Sequence, residues 1–218
     1  MSKRGRPRVF DRDEALRQAM AVFWEKGYEG ASLDDLQTAM GGISPPSFYA
    51  AFGSKERLFF EVVELYTETV GARPAYALEA QSTAREGVEA MLRECIDIFR
   101  GSDTPRGCLV MLGAINCAPA SKSVQDHLLS YRVQIPELIR TRLRRAVVDG
   151  DVPEGVDLDP LASFYATLFL GLAIRARDGA SRDDLLAGVP GAMAAWDRLI
   201  TPGPHRAMKQ RPSSKKKH

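Results

Sequence analysis

Residues 32–58, SLDDLQTAMGGISPPSFYAAFGSKERL, decide how the rest of this 218-residue chain is read. Ser32 offers a capping hydroxyl ahead of LDDLQTAM, in which Leu33, Leu36, Ala39 and Met40 recur at helical spacing. Gly41 and Gly42 end that helix, because glycine enters the left-handed conformation of a C-cap without steric cost. Ser44 can cap a second helix whose first position suits Pro45, since the N–H that proline lacks would have no partner there. Phe48 and Phe52 share one face, and Gly53–Ser54 closes this helix and caps the next. Two short helices joined by a Gly-containing turn form a helix-turn-helix, whose second helix enters the major groove of DNA.

Upstream, Asp11 opens a first helix, with Glu14 at capping-box spacing. Ala15, Leu16, Ala19, Met20, Phe23 and Trp24 line one face, and Gly27 stops it. Phe23 and Trp24 read as the core on which the helix-turn-helix is mounted, with Phe48, Phe52, Leu58 and Phe59 as partners. Before it lies SKRGRPR, an arm without core-forming residues. Its Arg4, Arg6 and Arg8 alternate with small or rigid residues, which suits a narrow minor groove.

GGISPPSFYAAFGSKERLF (41–59) resembles the recognition segment of the TetR/AcrR family, in which the turn, the Ser-rich helix start, the aromatic–Tyr pair and the F-x-S-K-E run recur. The specific resemblance spans residues 9–66. It implies an all-α protein, with an N-terminal three-helix helix-turn-helix DNA-binding domain and a C-terminal helical ligand-binding and dimerisation domain. On this chain the parts fall as a basic arm (1–10), a DNA-binding domain (11–72, motif about 32–52), a body (75–201) and a basic tail (202–218). By matching positions, Ser32 and Ser44 start the two helices and reach phosphates. Tyr49 is the family's tyrosine, whose hydroxyl meets the DNA backbone, and Lys55 is the lysine opening the fourth helix. Ser47 is placed to reach a base edge. Pro46 stands where glycine is common, and Ala50–Ala51 replaces a pair that is often polar or aromatic. Alanine offers only contact with a thymine methyl, so direct base reading is sparse and groove shape carries more of the specificity.

The net charge of +2 conceals its distribution. Residues 1–12 carry +4 and residues 205–218 carry +6, leaving −8 on the residues between. Basic termini of this kind are commonly nucleic-acid-binding or merely solubilising tails. Residues 1–70 hold nine basic and eleven acidic groups, so DNA binding must rest on local placement rather than bulk charge. The chain is 44% hydrophobic and 27% charged, as in soluble globular proteins. MSKRGRPRVFDRDE has no apolar core and is not a signal peptide. The apolar run Leu161–Ile174 is too short for a bilayer span. A cytoplasmic protein without membrane contact is the expectation.

From Lys55 to about Gly71 runs an amphipathic helix that, by the resemblance, links the two parts, and Arg73–Pro74 interrupts the helical pattern. Residues 83–100 place Val88, Met91, Leu92, Cys95, Ile96 and Phe99 at steps of three and four. GCLVMLGAINCA (107–118) is apolar nearly all round and predicts a buried central helix. Ser121–Val148 is helical but must kink or divide at Pro136. Asp159–Pro160 opens a strongly apolar helix, and Ser181 opens the last, where Pro190 implies a kink or a late restart. These last helices carry more apolar surface than one subunit covers. The resemblance implies a four-helix bundle with a second copy. Phe164, Leu168, Leu172, Val189, Met193 and Trp196 are the expected interface, with Phe169 at or close to it. An effector pocket is expected around Phe99, Cys108, Met111, Tyr165 and Phe169.

Enzyme signatures are missing: there is no P-loop, no G-x-G-x-x-G after a strand, no G-x-S-x-G and no H-E-x-x-H. Cys95, Cys108, Cys117 and the three histidines fit no metal template, so no metal and no cofactor are expected. RGCLVMLGAINCAP (106–119) resembles an R-G-C-L segment of one branch of the family. A helix start and Arg106 beside Cys108 lower its pKa, whereas burial raises it. The resemblance therefore implies a homodimeric transcriptional regulator, most simply a repressor on a pseudo-palindromic operator released by a small molecule. The alternatives are a thiol-based electrophile or redox sensor acting through Cys108 and, more remotely, a helical enzyme or scaffold that never meets DNA.

Overall fold

The computed structural model describes residues 10–101 and 104–201, and among these every regular element is helical. The arginine arm and the basic tail from 202 onward lie outside the described residues. Helix α1 (Arg12–Gly30) is capped by Asp11, whose carboxylate accepts from the backbone N–H groups of Asp13 and Glu14. The reciprocal half of the expected capping box is missing, because the Glu14 carboxylate is taken by Arg17 and Gln18. Gly27, at φ 71°, breaks the helix as expected, and residues 28–30 form a separate turn.

Helices α2 (Leu33–Ala39), α3 (Pro45–Phe52) and α4 (Lys55–Glu68) follow, with Ser32, Ser44 and Ser54 as their N-caps. Phe23, Phe48, Phe52, Leu58 and Phe59 are essentially inaccessible and Trp24 is buried, which makes one core beneath the two motif helices. Phe23 meets Phe59 edge-to-face at 5.0 Å. Aromatic pairs in this geometry contribute about 0.5–1.5 kcal/mol beyond their buried area.

A 3-10 turn at Val70–Ala72 leads to α5 (Arg73–Glu79), in which Pro74 occupies an early position where its missing N–H is not required. Helix α6 (Ala84–Phe99) presents the expected apolar face. The predicted central helix over 107–118 is not formed, and only α7 (Leu109–Leu112) is helical there. The Gly113 carbonyl accepts from the Tyr28 N–H at 2.7 Å, so it is spent on α1 rather than on a continuing helix.

The long pattern from Ser121 divides into α8 (Lys122–Arg132) and α9 (Gln134–Val148), with Pro136 inside the first turn of the latter. Helix α10 (Leu158–Arg177) is longer than its apolar run suggested. Among the described residues it alone has the length and composition of a membrane span, yet Leu161, Tyr165, Phe169 and Ala173 are buried within the protein. Pro190 marks a restart, with α11 (Arg182–Leu186) ending before α12 (Val189–Leu199).

Candidate nucleic-acid interface and effector cavity

Helix α3 has a buried face and an open one. Phe48 and Phe52 point into the core, while Pro46, Tyr49, Ala50 and Gly53 form an exposed stripe at helical spacing. Tyr49 stands almost half exposed, its ring braced edge-on against Phe48 at 5.4 Å. At the head of the helix the Ser44 and Ser47 hydroxyls lie 2.9 Å apart, both exposed. This is a rigid face with few donors, and alanine and proline give it little with which to read base edges.

Ser32 is otherwise employed. Its hydroxyl donates to the Asp35 carboxylate at 2.7 Å and accepts the Asp35 N–H at 3.0 Å, while its own N–H donates to the same carboxylate. The hydroxyl and the backbone N–H of Ser32 are thus both engaged in a capping box. Lys26, first, and then the groups of Ser32 hold the Asp35 carboxyl well below the usual carboxylate range.

The cations divide clearly. Residues 10–70 contain Arg12, Arg17, Lys26, Lys55 and Arg57 against eleven acidic groups. Arg12 pairs with Glu61, Arg17 with Glu14 and Lys26 with Asp35. Lys55 and Arg57, both in the first turn of α4, make no ion pair among the described residues. Lys55 is half-buried, with Nζ 4.4 Å from the centre of the Tyr28 ring. Desolvation pulls its ammonium pKa down, opposed by the charge of Glu29. Arg57 was not singled out by its sequence position, since pairing across elements decides which cations stay available.

Behind α4 lies a cavity of about 110 Å³ walled by α4 through α10. Phe99, Cys108, Met111 and Phe169 line it together with Tyr66, Thr67, Tyr131 and aliphatic side chains, and no charged residue contributes. Tyr165 is not part of it. Its ring packs near Trp196 and its hydroxyl donates to the Ala192 carbonyl at 3.0 Å, so it ties α10 to α12. Tyr66 donates to Cys108 Sγ at 3.3 Å. Burial pushes the Cys108 thiol up, against the Tyr66 hydrogen bond and the charge of Arg132. The start of α7 does lower it as expected, through the backbone N–H groups of Met111 and Val110, but burial is the larger effect.

The cavity wall is lashed to α1. Trp24 Nε1 donates to the Gly107 carbonyl at 3.1 Å, and Arg177 donates to the carbonyls of Trp24, Glu25 and Arg106. Glu29 accepts from the Ala118 N–H at 3.1 Å.

On the far side, Phe164, Leu168 and Leu172 are half-buried at helical spacing, while Leu170 and Ile174 are exposed on another side of the same helix. Val189, Met193 and Trp196, expected at a subunit interface, are buried inside the subunit because α12 turns them onto α6 and α10. Phe169 likewise points inward, edge-on to Phe99 at 5.3 Å. His127, the one histidine among the described residues, lies 4.2 Å from the Phe60 ring centre. No group of metal-ligating side chains is present among the described residues.

Residues 15–62 match the profile of the bacterial regulatory proteins of the tetR family, and residues 84–187 match that of the tetracyclin repressor-like C-terminal domain. The chain is 33% identical over 198 residues to the HTH-type transcriptional repressor ComR of Escherichia coli, covering 90% of this chain and 94% of that protein. It is 29% identical over 185 residues to the HTH-type transcriptional repressor BdcR of the same organism, covering 84% and 87%. Among solved structures it is similar to a cysteine mutant of the TetR-family transcriptional regulator CifR complexed with 26-bp double-strand operator DNA. That likeness has a TM-score of 0.84 and 48% identity, over 88% of this chain and all of that one.

Proposed function

The chain belongs to the tetR family of bacterial regulatory proteins, and from that membership we propose a homodimeric repressor that holds a pseudo-palindromic operator until a small molecule occupies its helical body. It is a DNA-binding transcriptional regulator, like the repressors and the operator-bound regulator to which it is similar. The observation that carries the reading is the open stripe of α3 mounted on Phe48 and Phe52. A helix so supported presents Tyr49, Ser44 and Ser47 to DNA without rearrangement. In the cytoplasm its partners are double-stranded DNA, a second copy and an effector. Lys55 and the arm arginines Arg4, Arg6 and Arg8 add phosphate and minor-groove contacts.

The cavity supports release by population shift. Ligand sites commonly enclose about 300–1,000 Å³, against about 110 Å³ here. An effector of ordinary size therefore binds a more open conformation and draws the equilibrium toward it by its differential affinity. With no charge in the lining, that effector is uncharged and largely apolar. The lashings from residues 106–113 to the end of α1, together with α4, carry the change to the DNA-binding face.

A second reading rests on Cys108 facing this cavity with Tyr66 as its hydrogen-bond donor: an electrophile or oxidant entering there modifies the thiol instead of binding reversibly. The test is operator selection from a random duplex pool, followed by affinity measured against salt. Equal affinity for selected and random DNA rejects the repressor reading. Release that survives Cys108→Ser rejects the thiol reading.

A further inference from the structure

The α3 stripe of Pro46, Tyr49, Ala50 and Gly53 has no side chain at its last position, and another residue fills that space. A methyl group placed on Gly53 would come within 3.1 Å of Arg57 Nη1, so the Arg57 guanidinium lies across the C-terminal end of the stripe. Arg57 is exposed and makes no ion pair among the described residues. Lys55, two residues earlier, sends its ammonium the other way, onto the Tyr28 ring at 4.4 Å. We infer that Arg57 is a phosphate-contacting residue of the interface, and that it contributes more to DNA affinity than Lys55. The inference rests on the DNA-binding reading and adds a residue to it.

The charge distribution makes the contact important. In a segment with eleven acidic and five basic groups, three cations are already neutralised by Glu61, Glu14 and Asp35. A phosphate backbone meeting this face needs an available cation on the DNA side. Arg57 sits there without first leaving a partner, and its planar fork of donors matches phosphate oxygens. Lys55 would have to give up its contact with Tyr28. Gly53 fits the arrangement twice: at φ 75° it terminates α3, and its bare surface leaves room for the guanidinium.

The test uses the full chain and a random-sequence duplex, with affinity measured across a salt series. Arg57→Gln is expected to lower the slope of log affinity against log salt by about 0.9, and affinity at 0.1 M salt by about eightfold, for each bound subunit. Arg57→Lys should restore most of the slope, and Lys55→Gln should change it less than Arg57→Gln. Circular dichroism and melting of each variant confirm a native fold. Unchanged slope and affinity in Arg57→Gln, or a larger change in Lys55→Gln, overturns the inference while wild-type binding upholds the regulator. Wild-type protein that binds no duplex at any salt removes both.

Discussion

At the scale of single residues, the structure separates hydroxyls that hold the fold from one that is free to meet DNA. Ser32 is fully engaged with Asp35, so Ser32→Ala should cost about 1 kcal/mol of stability as a lost cap and leave the salt slope of DNA binding unchanged, as melting curves and titrations check. Tyr49 differs, because its hydroxyl has no partner among the described residues while its ring is braced by Phe48. Tyr49→Phe should weaken operator and random DNA about equally, and a collapse of discrimination between them would make Tyr49 a base reader instead. Asp35 also sets a pH dependence. Its folded pKa is depressed, chiefly by Lys26, so its stabilising effect is complete above the unfolded value of about 3.9 and is lost as pH falls below it. The melting-temperature difference between wild type and Asp35→Asn should therefore shrink below about pH 4. Both roles follow from a spacing visible in the sequence, Ser at 32 and Asp at 35. The resemblance to a family contact had pointed Ser32 outward, and only the hydrogen-bond geometry shows which use prevails.

Helices were legible wherever local chemistry determines them. Serine caps, proline in first turns and glycine stops placed α2, α3, α4 and the break between α8 and α9, because these signals act over a few residues. The stretch 107–118 was misread because its fate depends on a residue some eighty positions away, where the Tyr28 N–H takes the Gly113 carbonyl. Apolar composition reported correctly that the segment is buried and said nothing about where its backbone groups bond. The meeting of α5 and α6 shows the same dependence on close approach. A methyl on Gly87 would press into the Leu78 carbonyl, which belongs to a different helix. Gly87→Ala should thus force α5 away and cost about 1–3 kcal/mol as overpacking, despite alanine's higher helix propensity. A rise in melting temperature would show that α5 yields easily. Since Pro74 and Ala75 of α5 also line the cavity, the same variant should alter effector response.

For the whole molecule, the apolar excess of the C-terminal helices was readable, but not which side chains it leaves outside. Hydrophobic spacing does not distinguish a face turned to α6 from one turned to solvent, so Trp196, Val189 and Met193 were assigned outward when they complete the subunit's own core. What remains open is the half-buried α10 strip of Phe164, Leu168 and Leu172. In the proposed dimer this strip meets its copy, and the two kinds of residue should respond differently to substitution. Trp196→Ala removes a nearly inaccessible ring and should cost about 3–5 kcal/mol of stability, lowering the melting temperature whether or not dimers persist. Leu172→Glu places a charge on a surface that is partly wet in one subunit and dry only in two. It should leave helicity native, give monomers in sedimentation and weaken operator binding severely, because a lone helix-turn-helix engages one half-site while the operator offers two. Should Leu172→Glu sediment as a dimer with operator affinity intact, the subunits join elsewhere and the α10 strip serves another purpose.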